Sequence, residues 1–177
     1  EGITFDDLRK ALASLNGVKV HVIGDTIVDS YTRCSMVGTG TKTPTFSVKY
    51  ESQTDFSGGA AVVAKHLRKA GANVRFSTVL GDDKLKDFVL EDLKKEGIEC
   101  TPIIDKTRPT TQKNAFIAGG YRLLKVDTLD NRAISDKILT KFTKSISESD
   151  SDVFVLSDFR HGVFSRNTIP KFIKALP

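Results

Sequence analysis

Two groups of residues have types and spacing that suit ligand chemistry. The first is Ser57-Gly58-Gly59-Ala60-Ala61, a paired glycine that runs into a helix pattern. Two glycines before a helix let a ligand approach bare backbone N–H groups at the positive helix end. The same pair also serves as a tight entry that packs helix on sheet, so the glycines alone do not decide between the two roles. The second is Asp25, at the end of the apolar run Val-Lys-Val-His-Val-Ile-Gly over residues 18–24. An open α/β sheet places its binding crevice at that end of a strand. Asp25 is therefore expected to face a cleft and accept bonds from ligand hydroxyls, with a turn or cap as the plainer role. Asp29 follows across Thr26-Ile27-Val28. His21, inside the run, reads as a packed sheet histidine.

A third segment, Gly38-Thr39-Gly40-Thr41-Lys42-Thr43, resembles a phosphate loop only on first sight. A Walker loop needs Gly-Lys-Ser/Thr, whereas Thr41 precedes Lys42, and a dinucleotide fingerprint needs a third glycine where Thr43 stands. ATP is not expected at this loop.

The elements that must position these residues follow from periodicity. Thr4 and Asp7 have capping-box spacing ahead of Leu8, Ala11, Leu12 and Leu15, and Gly17 stops that helix. Ala60, Ala61, Val63, Ala64 and Leu67 mark a helix ended by Gly71, followed by a strand through Val74, Phe76, Thr78 and Leu80 to Gly81-Asp82-Asp83. Leu85, Phe88, Val89 and Leu93 give the next helix, and residues 98–104 the next strand. Residues 112–118 and 121–126 read as a hairpin joined by Gly119-Gly120. Ile134, Ile138, Leu139, Phe142 and Ile146 mark a helix, residues 152–156 a buried strand ending in Ser157-Asp158, and Ile169, Phe172, Ile173 and Leu176 a last helix. The alternation predicts an α/β fold with a parallel sheet and flanking helices. Two strand-only insertions, about 31–50 and 111–127, are expected to form one small sheet over the cleft. Phe46, Val48, Phe116 and Ile117 would then need a cover, such as a partner subunit.

Bulk properties fit a globular domain. The 177 residues are 39% hydrophobic and 28% charged, and suffice for one domain with a core. No apolar run approaches the ~20 residues of a membrane span, and neither membrane binding nor a signal peptide is expected. The net charge of +5 comes from scattered lysines such as Lys137, Lys141 and Lys144, which read as a solvated face rather than a nucleic-acid surface. Cys34 and Cys100 lack metal-ligand spacing and read as reduced thiols of a cytoplasmic protein.

Taken in order, Gly24-Asp25, Gly58-Gly59-Ala60-Ala61, Ala70-Gly71-Ala72 and Gly81-Asp82-Asp83 resemble the ribokinase-like (PfkB) carbohydrate kinases. Residues 24–31, Arg108-Pro109-Thr110-Thr111-Gln112-Lys113, Leu124-Lys125-Val126-Asp127 and Val155-Leu156-Ser157-Asp158-Phe159 resemble the heptose 7-phosphate kinase branch, which serves ADP-heptose synthesis. The resemblance implies a ribokinase-like, Rossmann-like sheet with a β-lid, and residues 1–177 as the N-terminal part of one such domain. It implies an ATP- and Mg2+-dependent transfer to a sugar or sugar-phosphate hydroxyl. Asp25 and the Gly58-Gly59 backbone would hold sugar hydroxyls, Lys113 would approach the substrate's existing phosphate or its acidic surroundings, and Asp158 would line the cleft. The lid would form a homodimer interface.

Three departures bear on specificity. Val62 stands where the family has a sugar-contacting asparagine, Gly38–Lys42 where the heptose kinases have an Arg-Ile-Ser-Pro-Glu-like segment, and His161 where they have a lysine. His161 reads as a buried or capping residue. The family's Gly-Ala-Gly-Asp segment, with its catalytic aspartate, does not occur. The chain is thus expected to be a truncated, sugar-side half of a kinase, inactive alone. The alternative is a non-catalytic sugar-binding or regulatory module descended from a kinase.

Overall fold

The computed structural model describes residues 2–39 and 45–177. Gly40-Thr41-Lys42-Thr43, the larger part of the loop excluded above as a phosphate loop, lies outside the described residues.

The chain builds two four-stranded sheets. Strands β1 (Lys19–Gly24), β4 (Asn73–Leu80), β5 (Glu99–Ile104) and β8 (Val153–Ser157) form a parallel sheet in the order β5-β4-β1-β8. Strands β2 (Thr26–Thr39), β3 (Phe46–Gly59), β6 (Gln112–Ala118) and β7 (Tyr121–Thr128) form the second, in the order β3-β2-β6-β7. In it β2 runs antiparallel to β3 and parallel to β6, and β6 and β7 make the expected hairpin. The two insertions do share one sheet. Its strands run further than 31–50, because β-branched and polar residues continue the alternation from Thr26 and on to Gly59.

Helices α2 (Ala60–Lys69) and α3 (Lys84–Lys95) cover one face of the parallel sheet, and α4 (Asp136–Ser147) and α5 (Ile169–Ala175) the other. The β1 alternation explains the two cores. Val20 and Val22 pack with Ala61, Ala64, Phe76 and Leu93, while Ile23 packs with Ile138, Phe142 and Phe172. His21 lies on the second face, as its sequence context suggests, with Nε2 at 2.8 Å from Ser77 Oγ and its ring against Phe154. Two of these helices start at a side-chain cap. Asp83 accepts from the Lys86 amide to cap α3, and Ser135 accepts from Ile138 to cap α4.

Helix α1 (Phe5–Ala13) has the predicted capping box, Thr4 with Asp7, but ends before Leu15 in tighter turns leading to Gly17. It has no buried residue, and Phe5, Leu8 and Leu12 are exposed. No helix of the described residues is long and apolar enough to cross a membrane.

Candidate sugar-binding cleft

The two sheets meet where the chain leaves β1. Asp25 alone separates β1 from β2. Two further passages lie beside it: Gly59 to Ala60, where β3 gives way to α2, and Thr110-Thr111, which lead into β6. Hydrogen bonds join them: Ala60 N–H donates to the Asp25 carbonyl (2.9 Å), Val28 N–H to the Thr111 carbonyl (2.8 Å), and Thr26 Oγ1 lies 2.8 Å from Thr78 Oγ1. The carboxylate of Asp83 accepts from the Thr110 amide (2.8 Å), and the Thr110 hydroxyl accepts from Gly81 N–H (3.0 Å), so the Gly81-Asp82-Asp83 turn holds this entry as well.

Asp25 is buried at this junction, and its carboxylate has protein partners. Oδ2 accepts from the Phe159 (3.1 Å) and His161 (3.3 Å) amides and Oδ1 from the Val163 amide (3.1 Å). Burial raises its pKa, against the lowering effect of these three amides and of His161. An ionised carboxylate has about four acceptor positions. Three amides occupy three of them, so the carboxylate organises the turn, and Asp25 also lines a small hollow with Thr26, Arg108, Thr111 and His161. The loop it gathers contains Arg160, the one described non-glycine residue with positive φ, at 61°.

Gly58 and Gly59 are both buried. At Gly59, φ is +59° and a Cβ would collide with the Asp25 carbonyl oxygen; at Gly58, a Cβ would collide with the Asp29 carboxylate. Gly59 is therefore required by packing, whereas at Gly58 the Asp29 side chain could move aside, and both glycines pair with β2 at Thr26 and Ile27. The helix that the pair opens has no side-chain cap.

Lys113 lies on β6, half-buried, opposite Asp29 of β2 and Asp127 of β7. The β-lid face carrying these three residues is turned toward His161, whose pKa is lowered by burial and then by the charge of Lys113, against Asp25, Asp127 and Asp158. The Asn131 side-chain oxygen is 2.7 Å from His161 Nδ1, so the ring proton sits there and Nε2 is left as an acceptor. That Nε2 is buried without a partner among the described residues. The half-buried ring matches the expected buried histidine, but the unpartnered nitrogen was not foreseeable. Asp158 is exposed just past β8 and accepts from the Arg160 amide (2.7 Å), shaping the loop beside Asp25.

Asp25, Gly58 and Gly59 meet at the junction and Asp158 follows β8 beside it, whereas Lys113 lies on the face of the second sheet that carries Asp29, Tyr31, Arg122 and Lys125. Sequence reasoning passed over Asp29, Asp127, Arg122 and Lys125 as site residues. Strand alternation around the Gly119-Gly120 turn is the signal that brings some of them to the face of Lys113.

The chain belongs to the pfkB family of carbohydrate kinases, whose family model matches residues 19–157. It is 34% identical over 160 residues to the bifunctional protein HldE of Campylobacter jejuni, covering 89% of this chain and 32% of that protein. To the HldE of Helicobacter pylori it is 36% identical over 152 residues, covering 82% of this chain and 32% of the relative. The chain therefore spans about a third of the length of these relatives. Among solved structures it shares its fold with a carbohydrate kinase from Agrobacterium tumefaciens (TM-score 0.65, 22% identity, 78% of this chain and 45% of that one). It also matches phosphofructokinase-2 of Escherichia coli in complex with substrates and products (TM-score 0.67, 15% identity, 89% and 50%).

Proposed function

We propose that this chain supplies the acceptor-sugar side of an ATP- and Mg2+-dependent kinase that phosphorylates a carbohydrate hydroxyl, with heptose 7-phosphate as the acceptor. The observation that carries the reading is the junction itself: a buried Asp25 carboxylate held by three amides, beside a glycine pair that opens a helix with no side-chain cap, with a charged face on the second sheet. Sugar hydroxyls bind such mixed sets of carboxylate, backbone and imidazole acceptors. Asp25, Gly58 and Gly59 hold the acceptor, Asp158 shapes the loop that closes it, and Lys113 meets the negative charge of the substrate.

Among the described residues no group of three His, Cys, Asp or Glu side chains converges to hold a metal ion. On this reading Mg2+, nucleotide and the catalytic base belong to the remainder of the full-length protein. The exposed apolar residues of the lid, Phe46 and Val48 among them, support a homodimer through that sheet. Phe116 and Ile117 are half-buried already. The protein acts in the cytoplasm on this reading, with Cys34 and Cys100 as free thiols.

The test is phosphoryl transfer from ATP by the full-length protein across a panel of sugars and sugar phosphates. Heptose 7-phosphate is expected to be accepted, and Asp25→Ala to lower kcat/KM by 100-fold or more, on the order of 3 kcal/mol. A protein that phosphorylates no sugar, or an Asp25→Ala variant with unchanged kinetics, would defeat the reading.

A further inference from the structure

We propose that His161 is a specificity-determining residue for the acceptor sugar, with Nε2 accepting the O–H of one ligand hydroxyl seated in the small hollow that His161 shares with Asp25, Thr26, Arg108 and Thr111. This deepens the kinase reading and rests on it for the identity of the sugar, though not for the hydroxyl.

The ring is fixed by the protein alone. Its backbone belongs to the loop that Asp25 gathers, where the His161 amide donates to Asp25 Oδ2 (3.3 Å) between the Phe159 and Val163 amides. Arg160 and Gly162, both with positive φ, flank it. Gly162 is wedged in place, because a Cβ there would collide with the Arg132 carbonyl oxygen. The Asn131 side-chain oxygen, 2.7 Å from Nδ1, then sets the rotation of the ring and holds its proton. Asn131 stands in the segment that leaves β7 for α4, and that segment is tied down on both sides. Asp130 accepts from the Arg132 side chain, Arg132 reaches the Thr107 carbonyl (3.5 Å), and Ile134 N–H donates to the Gly162 carbonyl (3.0 Å). One ring nitrogen is thereby committed to the protein, and Nε2 is left as a buried lone-pair acceptor.

The hollow suits a neutral hydroxyl. A buried acceptor without a partner is destabilising, and a donor placed within reach removes the deficit. Asp25 and Nε2 supply acceptors. Arg108 supplies donors, and its side chain, 8% exposed, is held by Asp105 (2.9 Å). A hydroxyl answers both, giving its proton to Nε2 and accepting from Arg108 with its oxygen. A phosphate or carboxylate would meet the Asp25 carboxylate, and an ammonium would meet Arg108. The space admits about one water-sized group, which fits a single hydroxyl.

This role needs a neutral ring. Burial lowers the His161 pKa, Lys113 on the lid face lowers it further, and Asp25, Asp127 and Asp158 oppose them. Arg108, with its partner Asp105, is the remaining charge at the hollow. The ring is therefore neutral at pH 7. Below about pH 6.5 protonation turns Nε2 from an acceptor into a donor and should weaken acceptor binding.

The experiment uses the full-length protein with 15N-labelled histidine rings, the His161 signals being assigned with His161→Gln. At pH 7.5 the free protein should show the Nδ1–H tautomer at His161. Heptose 7-phosphate and unphosphorylated heptose should both give nuclear Overhauser contacts to its ring C–H protons, and inorganic phosphate should give none. In kinetics, His161→Phe should raise KM for heptose 7-phosphate about tenfold with kcat changed less than about threefold. His161→Gln, whose amide oxygen can stand in for Nε2, should stay within about threefold of the native KM. Asn131→Asp should raise the imidazole pKa and carry the low-pH rise of KM to higher pH, an effect that a merely structural histidine lacks. Circular dichroism checks folding, and if His161→Phe does not fold, the ring contacts and the Asn131→Asp profile decide. Ring contacts to heptose without phosphoryl transfer to any sugar would support the hydroxyl seat and count against the kinase reading. A ring that neither sugar touches, a folded His161→Phe with unchanged KM, or a pH profile that Asn131→Asp does not move would overturn the seat, whether or not a sugar is phosphorylated.

Discussion

The two sheets have the same number of strands and opposite internal logic. The parallel sheet has helices on both faces, and Val22, Ile23, Phe76, Phe142 and Phe172 are fully buried, with Val153 and Leu156 of the edge strand β8 exposed. The second sheet has no helix of its own, and Leu124, Val126, Phe46 and Tyr50 are exposed. What holds its middle is polar. Ser30 and Thr32, both buried on the central strand, anchor a ladder in which Gln112 donates to Ser30 (2.8 Å), Ser30 to Asp55 (2.6 Å) and Thr32 to Asn114 (2.9 Å). Packing thus makes the first sheet a scaffold, and directional bonds make the second a shaped surface with room for a ligand. The division explains why charge collects on the lid: a buried charge needs a partner, whereas an open face can keep a cation solvated until a ligand arrives.

The largest expected break in this contrast uses one backbone conformation in two places. Gly59 and Gly119 have nearly equal φ, +59° and +57°, but only Gly59 has atoms where a Cβ would go. Gly59→Ala should cost about 3 kcal/mol or more, since steric overlap adds to left-handed strain. Gly119→Ala, at the open lid turn, should cost only about 1 kcal/mol. Urea denaturation of both variants measures the difference, and equal losses would show that the lid turn is as constrained as the junction.

Next in size is a pH effect confined to the scaffold. Burial, with the charge of Arg75 second, lowers the His21 pKa to about 4. The unfolded chain, with its histidine near 6.5, takes up that proton first as the pH falls. The stability is therefore complete above pH 6.5 and is lost progressively toward pH 4, by about 3 kcal/mol. Denaturant midpoints from pH 7 to 4 should fall in the native chain and fall less in His21→Leu. A parallel decline in both would assign the acid sensitivity elsewhere.

The smallest effect sharpens the account of the lid. Ser30→Ala leaves Asp55 and Gln112 without their shared hydroxyl and should cost about 1–2 kcal/mol. Hydrogen exchange should quicken at β2 and β6 amides and stay unchanged in β4. Loss of protection in both sheets together would mean that they unfold as one unit.

Local spacing carried the scaffold. The helix stops at Gly71 and Gly97 and the strand ending at Gly24-Asp25 were legible because each depends on neighbours in sequence. The place of Asp25 at the strand end was legible for the same reason. Its three amide partners were not, since they come from a loop more than 130 residues away. The lid hairpin was visible in Gly119-Gly120, but the bulge beyond it has no glycine or proline to announce it. Counting back from the turn would therefore have placed Val126, not Asp127, beside Lys113. The parallel pairing of β2 with β6 was equally hidden, because the segments are distant in sequence and each looks like an ordinary strand.

The single residue between β1 and β2 has a mechanical consequence. With no linker there, the lid cannot swing like a flap on a tether. It can only rock, as a lever rocks on a short axle, about a line through Asp25, the Gly59–Ala60 step and Thr110-Thr111. Because the axle residue also holds the loop over residues 158–163 through its carboxylate, tilting the far end of the lever would be felt at that loop.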